Sequence, residues 1–210
     1  MIMNLYQRHI FPRLLADVSK RFTEDRQRLA ALLQGDVLEL GSGTGESFPF
    51  YPAAVKRVVS LEYDDQLLSY QQPQRLPAHL TNEFLLLQGD GHQLPFQDAQ
   101  FDQVFCCLVL CSVADPAQVL AEAYRVLKPG GALVVFEHVA AAHQLTHRAQ
   151  RWLNPLWRPL ACGCQLERQT GQRIREAGFC TDKLKRYRHS SYPALVGTFL
   201  EGLAIKPEKS

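Results

Sequence analysis

The chain has 210 residues, of which 46% are hydrophobic and 21% charged, and its formal net charge is +2. This length suffices for one well-covered domain, and the composition excludes a wholly disordered or collagen-like chain. No run approaches the roughly 20 apolar residues of a membrane-spanning helix. The near-neutral charge argues against a nucleic-acid binder. Because the chain also starts without a secretory signal pattern, we expect a cytoplasmic protein.

The first 34 residues are predicted to form a helical cap. Apolar side chains recur every four positions, at Tyr6, Ile10, Leu14, Val18 and Phe22. A second helix is predicted over residues 25–33, because Gly35 follows as a normal helix stop.

Strands and helices then alternate over residues 35–138, which we predict to be the core of a single domain. Strands are predicted over residues 36–40, 55–61, 84–87, 101–109 and 132–137. Helices are predicted near residues 65–71 and over residues 116–127, the latter capped by Asp115. Near-continuous apolar strands joined by helices indicate a parallel sheet that is covered on both faces.

The remainder of the chain is predicted as an insertion and a final hairpin. Residues 139–170 form a helical insertion that acts as a lid, and residues 171–210 contain a helix and two strands. The two strands, over residues 184–189 and 197–205, are close in sequence and are therefore expected to pair antiparallel.

A glycine-rich loop directly after the first strand is the strongest local signal. The loop consists of Gly41, Ser42, Gly43, Thr44 and Gly45. Glycines at this point let the backbone turn sharply and approach a ligand. The spacing is not the dinucleotide pattern, because Glu46 takes the place of its last glycine, and Glu39 before the loop suits a ligand with an amine. A nucleotide-dependent dehydrogenase is therefore disfavoured.

Two acidic residues follow the next two strands. Glu62 ends the second strand, about 20 residues after the first glycine, where a carboxylate can accept the hydroxyls of a ribose. Asp90, followed by Gly91 and His92, comes after the third strand and can accept from the amine of an adenine. Ligands of open α/β sheets bind at the carboxyl ends of the strands, so these groups are expected to meet there.

These motifs resemble those of the class I S-adenosylmethionine-dependent methyltransferases. The resemblance runs from about Gly35 to Phe179 and includes the turn from Arg125 to Gly131. It implies a Rossmann-like seven-stranded sheet in the order 3-2-1-4-5-7-6, with strand 7 antiparallel. It also implies S-adenosylmethionine as cofactor and S-adenosylhomocysteine as product. The donor would lie over the glycine loop, with its ribose on Glu62 and Tyr63 adjacent, its adenine beside Asp90, and Leu108 bordering the methyl group.

Three further segments resemble the mammalian alkyl-thiol methyltransferases and their bacterial relatives, some of them phospholipid methyltransferases. They are residues 108–113, residues 137–141 and residues 163–168. The mammalian proteins begin with a hydrophobic anchor that is not seen here. The resemblance implies a small-molecule acceptor, with an apolar thiol favoured. A phospholipid amine, a quinone-type acceptor and a non-catalytic module that binds S-adenosylmethionine remain as alternatives.

The acceptor chemistry points to histidine as a base. A thiol loses its proton easily enough that a modest base suffices. His138, at the end of the fifth strand, is the first candidate, and His92 is the second. His143 and His147 are interpreted as surface residues of the insertion. Trp152, Trp157 and Leu160 are interpreted as a small core that holds the insertion, with an apolar acceptor pocket under the lid as the alternative.

The insertion and the residues after it are basic. Between Arg148 and Arg188 there are ten Lys or Arg residues against three acids, which allows weak peripheral contact with anionic headgroups or simply a solvated face. The six cysteines are interpreted as free thiols and no metal site is expected, with a metal or disulfide at Cys162 and Cys164 as the alternative. The sequence leaves the oligomeric state open.

Overall fold

The computed structural model describes residues 20–208, and in them seven strands form one sheet in the order β3-β2-β1-β4-β5-β7-β6. The strands are β1 Gly35–Leu40, β2 Val55–Glu62, β3 Phe84–Gln88, β4 Phe101–Cys107, β5 Leu127–His138, β6 Cys180–Arg188 and β7 Thr198–Ile205. Strands β1 to β5 pair in parallel, and β7 lies antiparallel between β5 and β6. The predicted strand order and the antiparallel seventh strand are confirmed.

Helices cover both faces of the sheet. They are α1 Thr23–Ala30, α2 Asp65–Tyr70, α3 Pro116–Val126, α4 Gln144–Leu160 and α5 Thr170–Glu176. One apolar core lies between the sheet and helices α3 and α5, and the other lies between the sheet and α1. The central strands have core on both sides, which explains why their sequences are continuously apolar.

Three predicted strands have clearly different bounds in the structure. The strand expected over residues 184–189 is β6, which begins earlier, at Cys180. The strand expected over residues 101–109 ends at Cys107, because Leu108 has a φ of +62° and turns the chain out of the sheet. The fifth strand begins earlier than expected, at Leu127, and its first residues pass through the turn at Gly130 before the ladder with β4 continues. Leu108 therefore lies in a turn at the carboxyl edge of the sheet.

The insertion is mostly one helix, α4, which continues through Pro155 and Pro159. For Trp152 and Leu160, both interpretations are wrong within the described residues, the packed core as well as the acceptor pocket, because both side chains face solvent. The predicted helix over the first residues of the chain falls, up to residue 19, outside the described residues. Within residues 20–208, no helix is long and apolar enough to cross a bilayer.

Candidate active site

The glycine loop follows β1 at the carboxyl edge of the sheet. The amide of Gly41 donates to the carbonyl of Leu61 at 2.8 Å, which joins the loop to the end of β2. Gly41 has a φ of +61°, and a Cβ atom there would lie 2.7 Å from Cγ2 of Val109. Only glycine fits this position. A side chain would clash with the turn after β4, and a positive φ is strained for any other residue.

Glu62 holds the glycine loop against the turn after β2. One carboxylate oxygen accepts from the amide of Gly43 at 2.7 Å, and the other accepts from Tyr63 and Asp64 at 2.9 and 3.0 Å. Burial raises the pKa of Glu62, and these amides oppose that shift. Because each oxygen can accept two hydrogen bonds, the oxygen facing Gly43 still has room for a ligand hydroxyl.

A buried acid and a buried cation lie beside the loop. Glu39 accepts a hydrogen bond from the Tyr51 hydroxyl at 2.5 Å, and burial raises the pKa of its carboxyl. The guanidinium of Arg26, on α1, lies near enough to favour the charged form of Glu39. Buried groups of opposite charge beside the glycine loop suit a zwitterionic ligand, such as the amino-acid end of S-adenosylmethionine.

Asp90 and His92, which follow β3, are hydrogen-bonded to each other. One oxygen of Asp90 accepts from the backbone amide of His92 at 2.9 Å and lies 2.6 Å from Nδ1 of its ring. These bonds lower the pKa of Asp90. The other ring nitrogen, Nε2, accepts from the amide of Asp115 at 3.2 Å. Both nitrogens of His92 are thus engaged, whereas Asp90 keeps its second oxygen for a ligand.

Glu137 fixes the turn that contains Leu108. Its carboxylate is fully buried and accepts three backbone amides, from Val109, Leu110 and Cys111, at 2.9, 2.9 and 3.0 Å. Burial raises its pKa, and the amide bonds oppose that shift. The turn after β4 therefore depends on one side chain of β5.

His138 is buried at the end of β5. Its ring packs edge-on against Phe199, and its Nδ1 lies 4.0 Å from the sulfur of Cys164. Its Nε2 has no hydrogen-bond partner among residues 20–208. Burial lowers the pKa of His138 to about 4. The imidazole is therefore neutral at physiological pH, with one nitrogen available to accept a proton.

The glycine loop opens into a narrow cleft of about 50 Å³. Its lining consists of Arg26, Glu39, Gly41, Ser42, Gly43, Thr44, Glu46, Ser47, Cys107 and Leu108. This volume admits only one end of a ligand, so a nucleoside has to lie outside the cleft. Glu62 and Asp90, which follow the two adjacent strands, border that outer region.

A larger cavity of about 540 Å³ lies between the start of α3 and residues 165–173. Its lining includes Asp115, Glu167, Arg168 and Arg173. Neither the glycine loop nor Glu62 is part of that lining. We therefore centre the candidate site on the smaller cleft.

The lining of the cleft contains six of the predicted site residues together with others. Glu39, Leu108 and the loop from Gly41 to Thr44 line the cleft, while His138 is not part of its lining. The side chain of Tyr63 is exposed. Arg26 and Gln71 were missed. Gln71 is buried and donates to Ser42 and to the carbonyl of Gly43 at 2.9 and 2.7 Å. Arg26 shares the helical spacing of Leu29, Ala30 and Leu33, which was the available sign of its burial.

Comparison with known proteins finds methyltransferases that are similar to this chain in sequence and in fold. Residues 38–135 match the family described as "Methyltransferase domain". The chain is 35% identical over 174 residues to the thiol S-methyltransferase TMT1B of Rattus norvegicus, covering 81% of this chain and 70% of the relative. It is 33% identical over 118 residues to the phosphatidylethanolamine N-methyltransferase of Cereibacter sphaeroides, covering 55% and 58%. A crystal structure of an S-adenosylmethionine-dependent methyltransferase from Thermotoga maritima matches with a TM-score of 0.65 and 22% identity, covering 95% and 99%.

Proposed function

The chain belongs to the S-adenosylmethionine-dependent methyltransferases, in the family that includes rat thiol S-methyltransferase TMT1B, and from this membership we propose that it methylates an apolar thiol. The observation that carries the thiol assignment is the 35% identity to rat thiol S-methyltransferase TMT1B over 81% of this chain. A thiol also ionises more readily than an alcohol or a phenol, so it needs less help from a base. The cytoplasmic location expected from the sequence belongs to the same proposal.

The bound donor supplies an electrophilic methyl group on a sulfonium. Arg26 and Glu39 would hold its carboxylate and its amine, and the oxygen of Glu62 that faces Gly43 would accept from its ribose. Asp90 would accept from the adenine amine with the oxygen that His92 leaves free. These contacts fix the donor, so that much of the rate enhancement comes from alignment with the acceptor.

His138 is proposed to receive the thiol proton at Nε2, the nitrogen without a partner among the described residues. His92 is the weaker candidate, because Asp90 and the Asp115 amide occupy its two ring nitrogens.

We also propose a division of the chain into four segments. They are a cap at residues 1–34, a donor-binding core at residues 35–138, an insertion at residues 139–170 and a closing segment at residues 171–210.

The function is tested by a turnover screen with labelled S-adenosylmethionine. Apolar thiols, phospholipid amines and phenols or quinols are offered separately, and methylated products are identified by mass spectrometry. We expect the highest kcat/KM for an apolar thiol. Faster methylation of a phospholipid amine would replace the thiol as acceptor, in line with the similarity to the bacterial phospholipid enzyme. Donor binding without any methylated product would indicate a non-catalytic module.

Replacing His138 by Ala is expected to lower kcat for a thiol at pH 7 about tenfold to a hundredfold. Affinity for S-adenosylmethionine should stay within about threefold. Because burial lowers the pKa of His138 to about 4, the wild-type rate should show no inflection near pH 6.5. It should instead stay nearly constant between about pH 5 and 8, because the imidazole remains neutral over that range. The rate of the variant should rise with pH toward the pKa of the thiol, near 8.5, because a thiolate needs no base.

The control for this measurement is His92→Ala, which should keep the pH profile of the wild type. A folded His138→Ala enzyme with full thiol activity at pH 7 would remove the imidazole from the proton path. A loss that stays constant from pH 7 to 9 would make His138 a packing residue.

A further inference from the structure

Helix α4 is amphipathic, but it buries uncharged polar side chains and exposes large apolar ones. Gln150 and Asn154 are buried against the protein. The large apolar side chains on the opposite side face solvent, and their exposed fractions are 68% for Leu145, 86% for Trp152, 65% for Leu156 and 50% for Leu160. These four residues, spaced seven and four positions apart, form one stripe along the helix, which we call the outer stripe.

Specific hydrogen bonds fix this orientation. Gln150 accepts from the amide of Ala141 at 2.8 Å and donates to the carbonyl of Leu195 at 2.9 Å. Asn154 accepts from the amide of Leu166 at 2.9 Å. Turning the helix over would leave these buried backbone groups without partners, at a cost that burial of the outer stripe would have to exceed. The apolar exposure is therefore built into the fold.

The charges on α4 are all of one sign. Arg148, Arg151 and Arg158 are exposed, and residues 144–160 contain no Asp or Glu. Arg151 has one acidic contact outside the helix, with Glu167 at 3.5 Å, and its side chain stays 70% exposed. A stripe of leucine and tryptophan beside arginines is the composition of helices that lie in the interface of an anionic bilayer.

We propose that α4 docks the protein on an anionic lipid surface. The outer stripe would enter the region between headgroups and acyl chains, and the three arginines would contact lipid phosphates. A helix of 17 residues lies along such a surface over about 25 Å, which is enough to place all four apolar residues in the interface at once. The charge complementarity favours lipid over a second copy of this chain, whose own α4 would bring like charges together. The proposal stands independently of the acceptor.

The test uses Trp152 as a reporter. The sequence contains two tryptophans, so Trp157→Phe leaves Trp152 as the sole tryptophan, whose emission can be excited selectively over that of the tyrosines. We expect its emission to shift to shorter wavelength on addition of phosphatidylcholine vesicles containing 30% phosphatidylglycerol. Vesicles of phosphatidylcholine alone should cause little shift, and added salt should reverse the effect. If this variant does not fold, co-sedimentation of the wild-type protein with the same two kinds of vesicle gives the comparison.

Matched variants identify the docking surface. Trp152→Ala should weaken vesicle binding at least tenfold, and Arg148→Gln about fivefold, as expected for one basic residue near an anionic surface. Leu85→Ala, an exposed leucine on β3, and Lys56→Gln, an exposed lysine early in β2, should change binding less than twofold.

Three results would overturn the proposal. One is the absence of binding to anionic vesicles at low salt. Another is equal binding by the wild-type protein and Trp152→Ala. The third is that, in the absence of vesicles, Trp152 already emits at short wavelength and is protected from quenching by acrylamide. In that case another part of the chain or a second copy covers the outer stripe, and gel filtration distinguishes these two occupants.

Discussion

Replacing Glu62 by Ala should weaken binding of S-adenosylmethionine about a hundredfold or more, as measured by calorimetry. The substitution removes the proposed acceptor for the ribose and also releases the amide of Gly43, so the loop loses its attachment to the turn after β2. Charge-assisted hydrogen bonds of this kind contribute about 1.5–3 kcal/mol each, and 1.4 kcal/mol corresponds to a tenfold change in affinity.

Two other acids serve as comparisons for this measurement. Asp90→Ala should cost about tenfold or less, because its carboxylate is half exposed and already bonded to His92. Asp65→Asn removes an exposed charge near Glu62 and should leave affinity unchanged. Unaltered affinity in a folded Glu62→Ala protein would exclude Glu62 from the donor site.

Replacing Glu137 by Ala should destabilise the protein by about 3–5 kcal/mol. The substitution leaves the amides of Val109, Leu110 and Cys111 buried without their acceptor. An unsatisfied buried donor costs about 1–3 kcal/mol, and partial relaxation keeps the total below the sum. Urea unfolding with an unchanged m-value would measure this loss.

Glu137→Gln provides the matched control, because it keeps the shape of the side chain. Its amide oxygen can still accept from Val109 and Leu110, while its NH₂ group meets the amide of Cys111, which is also a donor. We therefore expect this variant to lower the free energy of unfolding by about 1–3 kcal/mol. A loss below about 1 kcal/mol for Glu137→Ala would show that water or a shifted turn replaces the carboxylate.

The sheet was accessible from sequence because its signals are local and redundant. Continuous apolar strands, the glycine loop and the acids at the ends of β2 and β3 each occupy a fixed place in the chain, and together they carry the resemblance that implied the strand order. The end of β4 was not accessible. Leu108 belongs to an apolar run, which predicts a continuing strand. Its positive φ results from the contacts that Glu137, a residue distant in sequence, makes with the three residues after Leu108.

The same limit applies to the site. The glycine loop and Glu39 could be assigned because they adjoin β1 in sequence, whereas Arg26 and Gln71 reach the loop only through folding. The lowered pKa of His138 depends on how completely it is buried, which a sequence pattern does not report. The exposure of Trp152 and Leu160 was not predicted for a related reason. An apolar stripe normally indicates the buried side of a helix, but here hydrogen bonds hold Gln150 and Asn154 inward.

Strand β6 ends the sheet beyond β7, and most of its side chains are exposed on both faces. An unpaired strand edge is a template on which another molecule can add a strand. This edge carries Lys183, Lys185, Arg186 and Arg188 within six residues. Two such edges that approach each other would align cations of the same sign, and their repulsion opposes intermolecular sheet growth. We therefore expect the basic residues of the last sheet position to oppose edge-to-edge association, and this opposition should weaken as salt screens the charges.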